Sequence, residues 1–251
     1  MAEFDAELRY GIMYYVLPVI VLFYCVYHLK SKIKKAKIEA WCLNFFCGWV
    51  HRKFCDNEKR LLFHQMIELK EKAKSPLQIL EIGVGSGMNF KFYPRGSHLT
   101  CVDPNPFHEA YIHTNLKKDN NHLNFKGFIK SFAENMPKVE SNSYDVVVCT
   151  LTLCTVRNPT AVLGEIKRVL KPGGTFFYME HVAGPRGSFV RWFQNKLQYI
   201  WPYFSGGCNI NRETWTHLDN SGFSKVSYRH YSVNTWVAFF AKHLLYGTAV
   251  K

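Results

Sequence analysis

Three glycines follow a short apolar run in the segment 80–90, LEIGVGSGMNF. They are Gly83, Gly85 and Gly87, spaced G-x-G-x-G. Glycine lets backbone amides approach a ligand closely, because side chains at these positions would collide with it. Asp103 lies twenty residues after Gly83, at the end of the next apolar run, where a carboxylate can accept hydrogen bonds from both hydroxyls of a ribose. The pattern predicts a site for a ligand that contains a nucleoside.

Two cofactor classes fit such a turn, the dinucleotides and S-adenosylmethionine. The dinucleotide fingerprint is G-x-G-x-x-G, so the spacing here separates the two classes only weakly. About 165 residues follow the turn. That length is enough for one sheet but not for a dinucleotide fold plus a separate substrate domain of the usual size. Chain length therefore indicates a single-sheet enzyme that binds both of its ligands along one strand edge.

The elements that position these residues come after Pro76, where short apolar runs alternate with amphipathic stretches, as is typical of a parallel sheet covered by helices. A helix is predicted after the fourth run, with Asn158 as its N-cap and Pro159 in its first turn, and KPGG at 171–174 ends it. The last two runs are too close together for a helical crossover and should form an antiparallel hairpin. The predicted strands are 77–82, 98–103, 124–129, 144–151, 175–180, 225–231 and 235–244. The sequence thus predicts an α/β, Rossmann-like domain over 76–251 with a mostly parallel seven-stranded sheet.

The first forty residues predict a membrane anchor. Residues 11–29 are nineteen residues without a formal charge, close to the roughly 20 that cross a bilayer as a helix. Pro18 and the flanking tyrosines leave open a segment that lies in one leaflet. Residues 41–75 are predicted as an amphipathic helical linker, and its first part, 41–55, either lies on the membrane surface or packs on the domain. Five lysines suited to anionic lipid headgroups place the rest of the chain in the cytosol, namely Lys30, Lys32, Lys34, Lys35 and Lys37.

The net charge of +13 suits nucleic acid or an anionic membrane as a partner. Residues 30–74 hold twelve Lys or Arg and five Asp or Glu, directly after the apolar run. This distribution favours a membrane over nucleic acid, with a solvated helix face as the alternative. The eight cysteines contain no CxxC pair, and the histidines make no metal-ligand spacing. The spacing therefore indicates reduced thiols and no metal site.

Residues 184–209 form an insertion that is dense in aromatic side chains and poor in charge, and we expect it to cover the acceptor pocket as a lid. Phe189, Trp192, Phe193 and Leu197 recur at helical spacing, which by itself is more often typical of a stripe that faces the core. Beside a membrane anchor, an apolar lid favours lipophilic acceptors.

Five motifs occur in the order and separations of the class I S-adenosylmethionine-dependent methyltransferases, which the sequence resembles over about residues 77–242. They are EIGVGSG, VDPNP, FAENMP, YDVVVCTLTL and IKRVLKPGG. Over nearly its whole length the chain resembles more closely the membrane-associated methyltransferase-like 7 family of alkyl thiol methyltransferases, through its anchor, NFKFYP, CVDPNP, VVCTLTLC, EHVAGPRGS and the final AVK. The resemblance implies an enzyme of the endoplasmic-reticulum or lipid-droplet membrane that faces the cytosol and methylates small lipophilic thiols.

The resemblance also implies roles for individual residues. Glu81 would orient the glycine turn or bind the methionine ammonium, and Asp103 would bind the ribose or merely cap a turn. Glu134 would reach the adenine amino group or face solvent. The implied cofactor-binding residues are Glu81, Gly83, Gly85, Ser86, Gly87, Asp103, Pro104, Asn105, Phe132, Ala133, Glu134, Thr150 and Leu151.

A thiol acceptor would gain from a base or a positive neighbour, because its reference pKa is about 8.5 and the thiolate is the reactive form. Glu180 and His181 stand at the end of the fifth predicted strand, where open parallel sheets bind ligands. His181 is the leading candidate for the base, and the alternative is a histidine that satisfies backbone groups. Cys149 and Cys154 are not expected to act as nucleophiles, since direct transfer needs no covalent intermediate.

Two other functions stay open at this point. The same cofactor motifs occur in enzymes that methylate carbon or nitrogen of quinones or lipids. A second alternative is a non-catalytic protein that retains the cofactor and recruits partners to a membrane or lipid droplet. Nucleic-acid methylation is disfavoured, because no Asn/Asp-Pro-Pro-Tyr-like motif follows the fourth strand.

Overall fold

A computed structural model describes residues 32–47, 53–233 and 239–251. At its centre is a seven-stranded sheet in the order β3-β2-β1-β4-β5-β7-β6. The strands are β1 (Gln78–Ile82), β2 (His98–Asp103), β3 (Asn124–Lys130), β4 (Tyr144–Thr150), β5 (Leu170–His181), β6 (Lys225–Ser232) and β7 (His243–Val250). β1 to β5 pair in parallel, while β7 runs antiparallel to both β5 and β6. The predicted Rossmann-like sheet with its antiparallel C-terminal hairpin is confirmed.

Three predicted strand boundaries are wrong, namely the start of β5 and both ends of β7, which ends at Val250 and not at 244. β5 begins at Leu170 rather than at 175, because KPGG continues the strand across an irregular register, in which Tyr144 pairs with Leu170 and Val146 with Thr175. β7 begins at His243 and not at 235, since residues 239–241 form a 3₁₀ turn. The aromatic side chains that suggested a strand here pack on the insertion instead, with the Phe193 and Phe239 ring centroids 5.0 Å apart. Residues 234–238 lie outside the described residues.

Helices cover both faces of the sheet. They are α1 (Lys32–Cys42), α2 (Asp56–Lys72), α3 (His108–Asp119), α4 (Pro159–Val169), α5 (Phe189–Leu197), α6 (Trp201–Phe204) and α7 (Thr214–Asp219), and α1 continues into a π turn at Leu43–Cys47. α4 forms as predicted, since Asn158 Oδ1 accepts from Ala161 N at 3.1 Å and the apolar face of the helix is buried.

α2 belongs to the core of the domain, although the sequence placed it in a linker over 41–75. Its residues Leu62, Phe63 and Met66 are fully buried. The Phe63 ring lies 6.1 Å from the Phe177 ring of β5 and edge-on to Tyr93 at 5.6 Å. α2 therefore packs on the domain, and the two alternatives for residues 41–55 stay predictions.

The predicted anchor over residues 11–29 and Lys30 lie outside the described residues. Among the helices that the structure does describe, none combines the length and the apolar character needed to cross a membrane. The remaining lysines of the cluster lie on α1.

Candidate active site

The glycine turn leaves the carboxyl end of β1 and faces the loop that follows β4. Gly83 has φ +66°, and a Cβ on it would lie 2.0 Å from Thr152 Oγ1, so Gly83 permits direct contact between the two loops. Gly85 has φ +53°, and among the described residues no atom beyond its own chain neighbours lies within 4 Å of where its Cβ would be. That open space, bordered by backbone amides, fits a bound ligand that approaches the main chain.

Glu81 supports the turn from below. It is fully buried and accepts hydrogen bonds from Asn89 Nδ2 at 2.8 Å and from the Tyr93 hydroxyl at 2.7 Å. Burial raises the pKa of Glu81 to about 7, and the two hydrogen bonds oppose that shift. Of the two roles implied for Glu81, this geometry supports orientation of the glycine turn.

Asn89 was missed by the sequence analysis. Its Nδ2 also donates to Thr150 Oγ1 at 2.9 Å, so one amide joins the ends of β1 and β4. Its Oδ1 is buried and has no partner among the residues that the structure describes. An unpaired buried acceptor costs free energy, and a cationic group of a ligand would satisfy it. The nearest sequence signal was its place in GSGMNF, which marks the turn but not this asparagine.

Asp103 joins the end of β2 to the glycine turn. Its two carboxylate oxygens accept from Gly85 N at 3.1 Å and from Asn105 N at 2.9 Å. Burial raises the pKa of Asp103, while His108 opposes the shift from 4.0 Å. Each carboxylate oxygen keeps a lone pair for a further donor, so capping the turn and binding two ribose hydroxyls are compatible. Pro104 is exposed beside it.

α1 lies across the mouth of this site, which the sequence did not reveal. Asn105 Nδ2 donates to the backbone oxygen of Ala36 at 2.8 Å. Glu39, one turn further along α1, is accessible to solvent at the mouth, and partial desolvation together with the Asp103 carboxylate raises its pKa. Glu39 also approaches the insertion, since a Cβ on Gly206 would lie 3.0 Å from its Oε1. α1 therefore borders both the cofactor site and the predicted lid.

The remaining residues of the predicted cofactor set occupy the same edge of the sheet in different environments. Ser86 is buried, and its backbone oxygen accepts from Asn115 Nδ2 at 3.1 Å. In the loop after β3, Phe132 is 70% exposed and Ala133 is buried. Glu134 uses Oε1 to accept from Arg157 N at 3.0 Å. The exposed Phe132 ring is free to cover a planar base, and Glu134 also helps to hold the loop after β4.

Leu151 marks a strained point at the end of β4. Its φ is +54°, a left-handed conformation that costs a non-glycine residue about 1–2 kcal/mol. Its amide donates to the Met179 oxygen at 2.7 Å, which holds it in place. Strain of this kind is concentrated at functional sites. Thr150, the residue before it, contacts Asn89 just after the glycine turn. The resemblance implies that Thr150 and Leu151 border the reacting methyl, and that role stays a prediction.

Glu180 is fully buried at the end of β5 and accepts hydrogen bonds from three successive backbone amides. Thr152 N and Leu153 N donate to Oε1 at 3.1 and 2.9 Å, and Cys154 N donates to Oε2 at 3.0 Å. Burial raises the pKa of Glu180 to about 7, and these hydrogen bonds oppose that shift. Glu180 thus positions the loop after β4, whereas its predicted part in catalysis stays a prediction.

His181, the predicted base, is half-buried and lies next to two cysteines from other elements. Its Nδ1 is 3.7 Å from Cys208 Sγ, and Cys208 Sγ is 3.5 Å from Cys154 Sγ. Contact with Cys154 and His181 holds the pKa of Cys208 well below its usual range, while its contact with Cys208 raises the pKa of Cys154. Burial lowers the pKa of His181, but Cys208 outweighs burial and the net pKa is raised. Sequence spacing gave no sign of this cluster, because the fold joins residues that are far apart in the chain.

Residues 80–178 match the family model described as a methyltransferase domain. A solved structure of an S-adenosylmethionine-dependent methyltransferase from Thermotoga maritima, titled a possible histamine N-methyltransferase, aligns with a TM-score of 0.56 at 18% identity, over 84% of this chain and 97% of that one. With the glycine turn and Asp103 at one sheet edge, these matches define an S-adenosylmethionine-dependent methyltransferase.

Two curated relatives identify the family within this class of methyltransferases. Thiol S-methyltransferase TMT1B of Rattus norvegicus is 44% identical over 69% of this chain and 70% of its own length. Thiol S-methyltransferase TMT1A of Homo sapiens is 41% identical over 78% of this chain and 79% of its own length. The chain belongs to the thiol S-methyltransferase family.

Proposed function

We propose that the protein transfers the methyl group of S-adenosylmethionine to small lipophilic alkyl thiols at a membrane. The observation that carries the choice of acceptor is the 44% identity to a thiol S-methyltransferase over 69% of the chain. The membrane would be that of the endoplasmic reticulum or of a lipid droplet, with the catalytic domain facing the cytosol.

The chain's own residues serve mainly to align and shield the reactants. When bound, S-adenosylmethionine supplies an electrophilic methyl group on a sulfonium. Gly83 and Gly85 leave room for the cofactor against the main chain, and Asp103 would accept its ribose hydroxyls. Glu180 fixes the loop at 152–154 against the glycine turn, which holds the acceptor side of the site in one geometry. Such positioning supplies much of the acceleration in a direct displacement.

The preference for lipophilic thiols and for a membrane is supported by exposed aromatic side chains. On the lid, Phe189 is 67% and Tyr203 is 79% exposed, and on the π turn after α1 Phe45 is 69% exposed. Clustered exposed apolar residues in a soluble domain mark a contact surface. Because α1 borders the lid at Gly206 and carries lysines, the two surfaces suit one lipid interface.

The activity test measures transfer of labelled methyl from S-adenosylmethionine to matched alkyl thiols, amines and quinones by the full chain in vesicles. Asp103→Ala should lower kcat/KM for thiols by more than about tenfold, because hydrogen bonds to a charged group contribute about 1.5–3 kcal/mol each. Glu140→Ala removes an exposed carboxylate and should change little. Cofactor binding with methylation of amines or quinones alone would overturn the thiol acceptor. No cofactor binding at all would favour the recruitment role.

Substitutions in the lid test the preference for lipophilic thiols. The double variant F189S/W192S should lower kcat/KM for long-chain thiols relative to a short, water-soluble thiol. Leu61→Ser, which changes an exposed apolar residue on α2, is the matched control. If the double variant keeps the wild-type ratio of kcat/KM for long-chain and short thiols, the proposed acceptor class is contradicted. If the double variant floats with anionic vesicles as the wild type does, the lipid interface is contradicted.

A further inference from the structure

Three soft ligand atoms converge at the acceptor side of the site. Cys154 lies in the loop after β4, His181 ends β5, and Cys208 closes the insertion, and their ligand atoms all lie within 4.8 Å of one another. Both cysteines are buried and His181 is half-buried. Each comes from a different element, so the convergence is a property of the fold and not of local sequence.

Two of the three distances between the ligand atoms match those of a tetrahedral zinc site, and the third lies within 4.8 Å. Zn–S bonds of about 2.3 Å and Zn–N bonds of about 2.0–2.1 Å place two sulfurs about 3.8 Å apart, and a sulfur and a nitrogen about 3.6 Å apart. The observed separations are 3.5 Å between the two sulfurs and 3.7 Å from Cys208 Sγ to His181 Nδ1. Two thiolates would also neutralise a divalent cation, which suits a buried site.

The surroundings hold the three ligands in place. Cys154 N donates to Glu180, and its backbone oxygen accepts from Asn209 N at 2.8 Å, so the loop and the insertion are joined directly at the two cysteines. The Trp201 indole packs against the cluster and shields it. Hydrogen bonds and packing of this kind orient metal ligands in known sites.

We propose that Cys154, His181 and Cys208 bind zinc and leave one coordination position that takes the thiolate of the methyl acceptor. Three protein ligands plus one exchangeable position is the arrangement of catalytic zinc sites. Thr152, two residues before Cys154, contacts the glycine turn at Gly83, so an acceptor held here lies next to the cofactor. In this arrangement His181 is a ligand, and the metal rather than the imidazole lowers the pKa of the acceptor thiol.

The binding step is a ligand exchange. The acceptor R–SH displaces a water from zinc, its sulfur donates a lone pair to the metal, and its proton leaves to solvent. No oxidant or reductant is needed. The choice of a thiol as exchangeable ligand rests on the proposed function, whereas the metal site itself does not.

The test loads the full-length protein with Zn²⁺, removes excess metal and measures zinc per chain. The wild type should retain about one equivalent, as one three-ligand site predicts. C154A, H181A and C208A should each lose it, while Cys101→Ala, at a buried cysteine on β2, should retain it. Cys208→His keeps a ligand atom and should regain zinc, which separates ligand loss from misfolding. Substitution with Co²⁺ should give tetrahedral ligand-field bands that shift when propanethiol is added.

Each outcome decides one part of the proposal. Zinc retained by all variants alike, or absent from the wild type with a Cys154–Cys208 disulfide seen by mass spectrometry, overturns the metal site. If the cobalt bands do not shift when propanethiol is added, or if the metal-free protein methylates thiols at an undiminished rate, the acceptor thiolate does not bind the metal. Either result leaves the proposed function standing. Stoichiometric zinc in a protein that methylates no thiol supports the metal site and refutes the proposed function instead.

Discussion

Replacing Gly83 by alanine tests the contact between the glycine turn and the loop after β4. The new methyl group would lie 2.0 Å from Thr152 Oγ1 and 2.8 Å from Thr152 Cβ, at a φ of +66°. Left-handed backbone costs alanine about 1–2 kcal/mol, and overpacking against a short branched side chain adds about 1–3 kcal/mol. Gly83→Ala should therefore lower the free energy of unfolding by about 2–5 kcal/mol.

Gly85→Ala is the matched control, because the φ of Gly85 is +53° and the new methyl group would meet no atom of the described part of the chain within 4 Å, apart from its chain neighbours. It should lose only the backbone part, about 1–2 kcal/mol, yet weaken cofactor binding more than it weakens the fold, since the methyl group fills the ligand's space. Urea unfolding in detergent measures the first quantity and titration calorimetry with S-adenosylmethionine the second. Equal losses of stability in the two variants would refute the close contact with Thr152.

Three further predictions concern polar side chains that hold loops or carry a shifted pKa. Burial raises the pKa of Glu81 to about 7 from its ordinary value of 4.5, so the folded state holds this proton more tightly. Stability should fall as pH rises through that window, by up to about 3 kcal/mol. Glu81→Gln should make the dependence shallower, because Glu180, whose pKa burial also raises to about 7, keeps its own contribution. Urea unfolding from about pH 5 to 8 measures the slope, and an unchanged slope would contradict the prediction. Arg168 donates to the backbone oxygens of Met136 and Val139 at 3.0 and 2.8 Å, so Arg168→Leu should speed hydrogen exchange in the loop at 131–143, and unaltered exchange would argue against this anchor. Gln194 is fully buried and accepts from Gly184 N at 2.8 Å. Gln194→Leu leaves that amide unpaired, costing about 1–3 kcal/mol, and should speed proteolysis of the insertion, whereas the exposed Lys196→Ala should not.

β1, β2 and β4 could be predicted well from the sequence, because strands buried on both faces read as nearly continuous apolar runs. β3 lies at the edge of the sheet and was recognised from apolar residues among polar ones. β1, β2, β3 and β4 each begin and end within one residue of the prediction. The last strand was misplaced for a related reason. The aromatic run at 235–241 looked like a strand, but β7 is fixed by pairing with β5 on one side and β6 on the other, and Gly247 allows the close approach of Ser227 on β6. Long-range pairing of that kind leaves little trace in local periodicity.

Only those parts of the site that lie within local sequence motifs could be predicted. The glycine turn and Asp103 are local and lie together as expected. The contact of Asn105 with Ala36 spans 69 residues, and the two sulfurs of Cys154 and Cys208 meet across 54. Contacts at such separations depend on topology and loop geometry, which a single sequence does not specify.

The hydrogen bond between Asn105 and Ala36 also determines which fragments of the protein keep a complete cofactor site. A fragment that starts at Pro76, where the strand pattern begins, would keep the glycine turn and Asp103. It would lose α1, which lies over the mouth of the cofactor site, and Phe63 of α2, which packs on β5. Part of the wall around the cofactor is thus built from chain that precedes the methyltransferase motifs. A fragment that keeps this wall accordingly includes α1, and a truncation designed to remove the proposed anchor should be made before the helix begins at Lys32.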